Sequence, residues 1–270
     1  MALKDRIAFG MSLPHRSPDT IDMSAVRQVA QRADALGFQD LWVTENTLDH
    51  VFCFDPIVIL TYAAAITTRI RVGVSVVVLP VRSPIHLAHE IATLDYASNG
   101  RAVLGVGLGR DNHYKEFQVP RERRIRRFLE EVELIKALWT QSKVDYRGSI
   151  YQLEGGSMAP KPLQKPHPPI WLGGGHPDAI RRAAAGADGW VGAGNTPEEI
   201  PGILKRLSEL RCEAGRERAP FEVIVALTTP PDVDVFRRLE DQGVTGVVSW
   251  PLLFTAGPGA RIAPKRGALE

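Results

Sequence analysis

Three polar side chains that could orient a substrate or exchange a proton with it, two of them titratable, stand where the first two predicted strands end. His15 follows the first strand, and Glu45 and Asn46 follow the second. A carboxylate or an imidazole can act as a general base, whereas an amide only donates and accepts hydrogen bonds. A metal needs carboxylate or histidine ligands from several strand ends, and only Glu45 and His15 stand there. We therefore predict that these three residues orient or protonate a substrate, and we predict no metal site.

A run of glycines follows the fifth predicted strand and opens a helix, with Gly173, Gly174 and Gly175 before His176. Free backbone N–H groups and the positive end of a helix dipole together bind anions. The alternative is a tight turn that needs positive φ, but three successive glycines exceed what a turn requires. Gly194 lies in a second small-residue turn after the next strand. The three glycines before His176 predict a phosphate site.

The fourth predicted strand ends in Gly105-Val106-Gly107-Leu108-Gly109, which looks superficially like a dinucleotide-binding fingerprint. Arg110 stands where the third glycine of that fingerprint belongs, and no helix is predicted to open at once. Two interpretations stay open. Either a flat ring approaches bare backbone here, or the glycines only loosen the end of a strand.

These residues need a scaffold that gathers the ends of many strands. Short β-branched runs alternate with amphipathic stretches along the chain, which is typical of a parallel sheet covered by helices. The predicted strands are residues 7–13, 40–43, 71–77, 102–106, 169–172, 189–191, 221–227 and 246–249. The predicted helices are residues 23–36, 56–67, 84–98, 121–140, 177–187, 197–214 and 233–242. Eight units favour an α/β fold of the TIM (β/α)8 barrel type over an open doubly wound sheet, with the strand ends on one face.

Residues 141–168 interrupt this alternation between the fourth predicted helix and the fifth strand. Residues 144–151 predict a hairpin, and a proline-rich run follows, so we expect an insertion over a barrel mouth. After the eighth strand only residues 263–270 remain for a closing helix, which predicts a short C-terminal helix or a truncated chain. The 270 residues are long enough for one barrel domain, which is the predicted organisation.

The charge balance excludes some partners. The chain has 33 basic and 31 acidic residues, a net charge of +2, so no overall field favours nucleic acid or an anionic membrane. No apolar run reaches the length of a membrane span. Cys53 and Cys212 lie far apart without metal-type spacing, and we see no signal peptide, so we predict a reducing cytoplasm. A small molecule is the expected ligand.

Five segments together resemble the luciferase-like monooxygenase superfamily, and particularly its branch that uses coenzyme F420, an 8-hydroxy-5-deazaflavin. They are residues 37–45 (GFQDLWVTE), 67–76 (TTRIRVGVSV), 92–95 (ATLD), 100–107 (GRAVLGVG) and 166–174 (PHPPIWLGG). Each segment alone is ordinary, but their order and spacing run from about residue 8 to residue 250, which is nearly the whole chain.

The resemblance implies a luciferase-like barrel with a coenzyme lying across its mouth. The family has a non-proline cis peptide at the end of the third strand, which falls on Ser75-Val76, and the ring rests there. Glycines after the fourth strand approach the ring edge, and the later glycine turns take the phosphate. Trp250 and the insertion wall the pocket. The implied coenzyme-binding residues are Ser75, Val76, Gly107, Leu108, Gly109, Arg110, Gly173, Gly174, Gly175, His176, Gly194 and Trp250.

The chain departs from the family pattern at two positions. Many relatives carry histidine directly after the acid of the second strand, where this chain has Asn46. Asparagine cannot shuttle a proton near neutral pH, so Glu45 or His15 would serve instead, or no general base is needed. Relatives often carry an aromatic residue where Arg110 stands. Arg110 would meet carboxylates of a deazaflavin tail or an anionic substrate, or it is solvated surface charge.

The resulting functional prediction is an F420-dependent oxidoreductase that moves hydride between C5 of the coenzyme and a small organic substrate. Arg110, Lys115 and Arg121 near the mouth favour the long acidic F420 tail over flavin mononucleotide (FMN). The alternatives are an FMN-dependent monooxygenase of the same fold, a non-catalytic coenzyme-binding barrel and a metal-dependent hydrolase.

Family members commonly form homodimers through the helices beside the second to fourth strands, and the resemblance implies a homodimer here. The candidate contact residues are Ile57, Leu60, Ala64 and Ala92, which are equally candidates for the core.

Overall fold

The computed structural model describes residues 3–192, 194–228 and 232–249. Its strands in chain order are β1 (Ala8–Ser12), β2 (Arg16–Ser17), β3 (Asp40–Val43), β4 (Phe52–Cys53), β5 (Arg71–Val78), β6 (Ala102–Gly107), β7 (Val144–Arg147), β8 (Gln152–Gly156), β9 (Ile170–Gly173), β10 (Gly189–Val191), β11 (Glu222–Ala226) and β12 (Gly246–Ser249). Eight of these strands close into a parallel barrel in the order β1-β12-β11-β10-β9-β6-β5-β3. The predicted (β/α)8 barrel is confirmed, and the carboxyl ends of its strands share one face.

Helices fill the connections between the barrel strands. They are α1 (Met23–Leu36), α2 (Pro56–Ala65), α3 (Pro84–Ala97), α4 (Asp111–Glu116), α5 (Arg124–Thr140), α6 (Pro177–Gly186), α7 (Ile200–Glu213) and α8 (Val233–Asp241), with short 3-10 turns at Leu3–Asp5 and Leu79–Val81. Several helices begin with an N-cap residue whose side chain accepts a hydrogen bond from a free backbone N–H of the first turn. In these helices a proline occupies the first helical position. Asp55 caps α2, Ser83 caps α3 and His176 caps α6 in this way.

The interior of the barrel is packed with side chains. Trp42 and Trp171 lie with their ring centroids 5.0 Å apart, among inward-facing residues of the other strands. Gly10 makes room for them, because a Cβ atom there would lie 2.6 Å from the Trp42 indole nitrogen. Arg71 stacks over Trp171 and binds both Asp40 and Glu222. A filled barrel leaves the mouth as the place for a ligand.

The segment between α5 and β9 forms the predicted insertion, with β7 and β8 as an antiparallel hairpin. The buried carboxylate of Glu130 on α5 accepts from the backbone N–H groups of Ser149, Ile150 and Tyr151, at 2.8, 2.9 and 3.1 Å. The Tyr151 hydroxyl donates to Glu131 at 2.6 Å. The hairpin is therefore held against α5 by the two acids.

The helix starts differ from the predictions in two places. Helix α5 begins at 124 rather than 121, because Arg123 has a φ of 59°, which an α-helix excludes. Helix α7 begins at 200 rather than 197, where the Thr196 N–H donates to the Glu199 carboxylate three residues ahead.

Two short elements escaped prediction. Helix α4 opens directly after Arg110, so the expectation that no helix opens at once after the glycines of the fourth strand was wrong. Strands β2 and β4 form a two-stranded antiparallel sheet. The expected C-terminal helix at 263–270 lies outside the described residues, and the single-domain organisation of all 270 residues stays a prediction.

Candidate active site

The end of β5 forms a ledge at the barrel mouth. The Ser75-Val76 peptide is cis, as the family resemblance implies. The pairing of β5 with β6 shifts register between Val74 and Val77, so the two residues of the ledge stand outside the regular ladder. The Val76 side chain lies over the neighbouring strand ends, because Cβ atoms on Gly107 or Gly173 would each come within 2.7 Å of it.

A cavity of about 450 Å³ opens beside this ledge. Nine of the twelve residues that the sequence predicted for coenzyme binding line it. They are Ser75, Val76, Gly107, Leu108, Gly109, Gly173, Gly174, Gly175 and His176. Arg110 is exposed at the start of α4 and does not line this cavity, and neither does Gly194. Trp250 lies outside the described residues. No residue of the insertion, 141–168, lines this cavity, contrary to the expectation that the insertion walls the pocket.

Sequence reasoning missed the rest of the cavity lining. These residues are Arg124, Ile125, Asp178, Ala179, Arg182, Val191 and Gly192. Five of them belong to helices α5 and α6, and the positions of strand ends do not show which side of a helix faces the cavity. Helical spacing could have indicated that Asp178 and Arg182 lie together, since residues four apart share a face of a helix.

One end of the cavity is suited to an anion. The N-terminus of α6 points there, and the His176 ring nitrogen accepts from the Asp178 N–H at 3.2 Å. Among the described residues, the N–H groups of Gly175 and His176 have no protein acceptor. Gly174 has φ of 122°, and its carbonyl accepts from the Trp190 indole at 2.9 Å, which fixes the turn. A Cβ on Gly175 would meet no atom within 4 Å, so its backbone is open.

Two half-buried arginines, Arg124 and Arg182, line the cavity. Within the described part of the chain, neither guanidinium has a hydrogen-bond or ion-pair acceptor, and the Arg182 Nε is buried without a partner. Burial lowers the pKa of Arg182, Asp178 raises it, and the like charge of Arg124 lowers it further. The arrangement leaves positive charge at the cavity wall without a compensating protein acceptor.

The three predicted catalytic residues lie at the ends of β1 and β3 and do not line this cavity. The buried His15 ring bonds through Nδ1 to the Leu13 carbonyl at 2.7 Å, and its Nε2 accepts from the Thr44 N–H at 2.9 Å. The Asn46 amide donates to the Thr44 hydroxyl at 2.9 Å. Burial is the main cause that lowers the pKa of His15, so the ring is held neutral.

Glu45 is engaged in an ion pair. Its carboxylate accepts from the Val78 N–H at 2.6 Å and binds the Arg82 guanidinium at 2.5 Å. Arg82 also pairs with Asp55 at 3.1 Å. These contacts tie the end of β3 to the end of β5, just beyond the ledge. The carboxylate that the sequence suggested as a general base thus has a structural function, while a catalytic role for Glu45 stays a prediction.

Two further features are absent from the described residues. In residues 3–192, 194–228 and 232–249, no three or more His, Cys, Asp or Glu side chains are grouped so that they could bind a metal ion. In the same residues no helix combines the length and apolar character that crossing a membrane requires.

The closed parallel barrel, with a lined cavity where β5, β6 and β9 end, places the chain in the class of (β/α)8-barrel enzymes. The particular family follows from the sequence profile of the luciferase-like monooxygenases, which matches residues 7–232. The chain belongs to this family, and it is an oxidoreductase as the members of the family are.

Three comparisons show where the chain stands among known proteins. An uncharacterized protein of Mycobacterium tuberculosis is 37% identical over 203 residues, which are 74% of this chain and 69% of that protein. The F420-dependent glucose-6-phosphate dehydrogenase of Kineococcus radiotolerans is 28% identical over 222 residues, 78% of this chain and 65% of that enzyme. The crystal structure of the monooxygenase RslO1 from Streptomyces bottropensis superposes with a TM-score of 0.71 at 27% identity, covering 82% of this chain and 70% of that one.

Proposed function

We propose that this protein is a coenzyme F420-dependent oxidoreductase that transfers hydride between the coenzyme and a small organic substrate. One observation carries the proposal. The Ser75-Val76 ledge and the start of α6, with its free N–H groups, line a single cavity of about 450 Å³, so one site has room for a flat ring and a phosphate. The 28% identity to an F420-dependent dehydrogenase supports the choice of coenzyme.

The residues present fit such a coenzyme. Val76 and the backbone of residues 107–109 would hold the ring, since Gly107 and Gly109 bring no side chain of their own to that wall. The unpartnered N–H groups of Gly175 and His176, with Arg124 and Arg182, would hold the phosphate-bearing tail. When bound, F420 supplies the hydride chemistry at C5 of its ring.

The ends of β1 and β3 do not line the coenzyme cavity, but they carry neutral polar groups on the same face of the barrel. His15, Thr44 and Asn46 form a hydrogen-bonded chain whose groups are all uncharged, with Asn46 at the outer end. This chain can orient a substrate carbonyl or hydroxyl through the Asn46 amide, but it offers no proton that is released near neutral pH. The reaction we propose therefore depends on hydride transfer to a positioned substrate carbonyl, and the proton that completes the hydroxyl product comes from solvent, because the β1 and β3 ends supply no acid or base.

Titration of the purified full chain with each coenzyme tests the proposal. We expect F420 to bind at micromolar concentration, with a change in its fluorescence, and at least about tenfold more tightly than FMN. Reduced F420 should then be oxidised by a carbonyl or enone substrate from a screen. Binding of neither coenzyme overturns the proposal.

An FMN-dependent monooxygenase is the second candidate. The 27% identity to the monooxygenase RslO1 over 82% of this chain favours it. Tighter binding of FMN than of F420, together with oxygen consumption when reduced FMN is supplied, would support this candidate and contradict the first.

We further propose that the chain forms a homodimer in the cytoplasm. The four contact residues suggested by the sequence, Ile57, Leu60, Ala64 and Ala92, are buried in the barrel core and cannot form the interface. Val58 on α2 and Ile85 on α3 are exposed apolar side chains on neighbouring helices, which supports the same helices as the contact face. Light scattering during gel filtration measures the mass of the particle, and a monomer would contradict the dimer.

A further inference from the structure

The cavity wall formed by α6 carries two opposite charges on one face. Asp178 and Arg182 both line the cavity and are four residues apart, one helical turn. They do not form an ion pair within 4 Å among the described residues, and Asp178 lies instead 3.7 Å from the His176 ring. Arg182 therefore stays free to bind a ligand, while Asp178 adds negative charge to the same wall.

Arg182 is poorly satisfied by the protein. Its Nε is buried and has no partner among the described residues. The second arginine of the cavity, Arg124, carries the same positive charge and repels it. A buried donor without an acceptor costs free energy that a bound anion would recover. A guanidinium forms bidentate hydrogen bonds with phosphate or carboxylate oxygens, so it is more selective for such groups than a backbone N–H alone.

We propose that Arg182 is a specificity-determining residue, which favours ring coenzymes that carry an anionic tail over the same rings without one, and that Asp178 limits this preference. The inference rests on the proposed function, because it concerns the coenzyme of that site. The recognised chemistry is a phosphate, from either the terminal phosphate of FMN or the phosphodiester of the F420 tail.

Two pairs of ligands isolate the contribution of the tail. Riboflavin and FMN differ by one phosphate, and the deazaflavin chromophore differs from F420 by the phosphate-bearing tail. We would measure the Kd of each by fluorescence for the wild type and for R182Q, D178N and R181Q. Arg181 is the matched control, because it is an exposed arginine on the same helix that does not line the cavity.

The ratio of the two Kd values within a pair is the readout. In the wild type the ligand with the phosphate should bind at least about tenfold more tightly than the bare ring. R182Q should reduce this ratio about tenfold and leave the Kd of the bare ring unchanged. D178N should raise the ratio a few fold, since it removes a like charge from the anion site, and R181Q should match the wild type.

Different results would contradict the role of Arg182 and the proposed function. An unchanged ratio in R182Q, or an equal weakening of the bare ring, overturns the role of Arg182 while the proposed function stands. Failure of all four ligands to bind to wild type overturns the proposed function and this inference with it. The ligand pair with the tighter wild-type binding identifies the source of the phosphate. Thermal unfolding of each variant, followed by circular dichroism, shows that the compared proteins are folded.

Discussion

The side chain of Val76 fills the space beside the backbone of Gly107, where a Cβ atom would lie only 2.7 Å from Val76 Cγ2. The same valine stands 2.7 Å from the position of a Cβ on Gly173. Non-bonded carbon atoms prefer separations of about 3.5 to 4 Å. From the sequence we assigned Gly107 and Gly173 to coenzyme binding. The packing of Val76 already requires glycine at both positions, because a larger residue would collide with its side chain.

Replacement of Gly107 by alanine tests this packing. We expect G107A to lower the free energy of unfolding by about 1 to 3 kcal/mol, because the added methyl group must displace Val76. The V76A/G107A double variant should lose less than the sum of the two single variants, since the shortened residue 76 leaves space for the methyl group. Urea unfolding measures all three.

The matched control for this series is G202A on α7, where an added Cβ would meet nothing within 4 Å. It should be neutral or stabilising by up to about 1 kcal/mol, because alanine is the better helix former. A G107A variant as stable as wild type would show that Val76 does not fix the ledge.

The barrel and most of the cavity lining were predictable because both depend on where strands end. Parallel strands expose their carboxyl ends on one face, so residues at and just after the ends of the neighbouring strands β5, β6 and β9 had to meet. Arg124 and Arg182 were missed because their positions depend on how α5 and α6 are rotated against the barrel. The pairing of Glu45 with Arg82 was also hidden, since Arg82 follows the short 3-10 turn at Leu79–Val81, and the path of that turn is not evident from strand ends.

The ion pair between Glu45 and Arg82 should matter for stability. Glu45 is buried and Arg82 is largely buried, so removing one charge leaves the other poorly solvated. We expect E45Q to lower the free energy of unfolding by about 1.5 to 3 kcal/mol, measured in urea, and to keep the affinity for the coenzyme within a few fold. If E45Q were as stable as wild type but had lost turnover, Glu45 would have a catalytic rather than a structural role.

Asp55 provides the comparison for that experiment. It binds the same Arg82, at 3.1 Å, but it is exposed, and asparagine in its place can still cap α2. D55N should therefore cost no more than about 1 kcal/mol, as is usual for an exposed ion pair.

His15 should make stability fall in acid. Burial lowers the pKa of His15 below the 6.5 of an exposed imidazole, against a smaller opposing effect of the Leu13 carbonyl. The unfolded chain then binds a proton at a higher pH than the folded protein does. The contribution of neutral His15 is complete above pH 6.5 and is lost as the pH falls through the lowered pKa of the folded state.

The H15Q variant isolates this contribution. At pH 7.5 it should be less stable than wild type by about 1 to 3 kcal/mol, because the bonds to Leu13 and Thr44 are weakened. At pH 5 the difference should be smaller. H86Q, which changes an exposed histidine on α3, should follow the wild-type profile. A difference between H15Q and wild type that is the same at both pH values would contradict a buried neutral ring.

Glu131 should have the opposite effect, with stability falling as the pH rises. Burial raises the pKa of its carboxyl to about 7, while the Tyr151 hydroxyl and Arg127 act in the other direction. Its Oε2 is buried without a partner among the described residues, so the charged form is poorly compensated. The unfolded chain releases this proton near pH 4.5, so the contribution is complete below 4.5 and is lost as the pH rises through about 7.

The E131Q variant imitates the protonated acid, and its amide oxygen can still accept from the Tyr151 hydroxyl. We expect E131Q to be more stable than wild type at pH 8 by about 1 to 3 kcal/mol and nearly equal to it at pH 4.5. Y151F is the companion variant, because it removes the hydroxyl and keeps the ring on the hairpin. It should lower stability at both pH values, since either form of Glu131 accepts from that hydroxyl. Equal stability of E131Q and wild type at pH 8 would mean that the carboxylate is better solvated than its burial between α5 and the hairpin indicates.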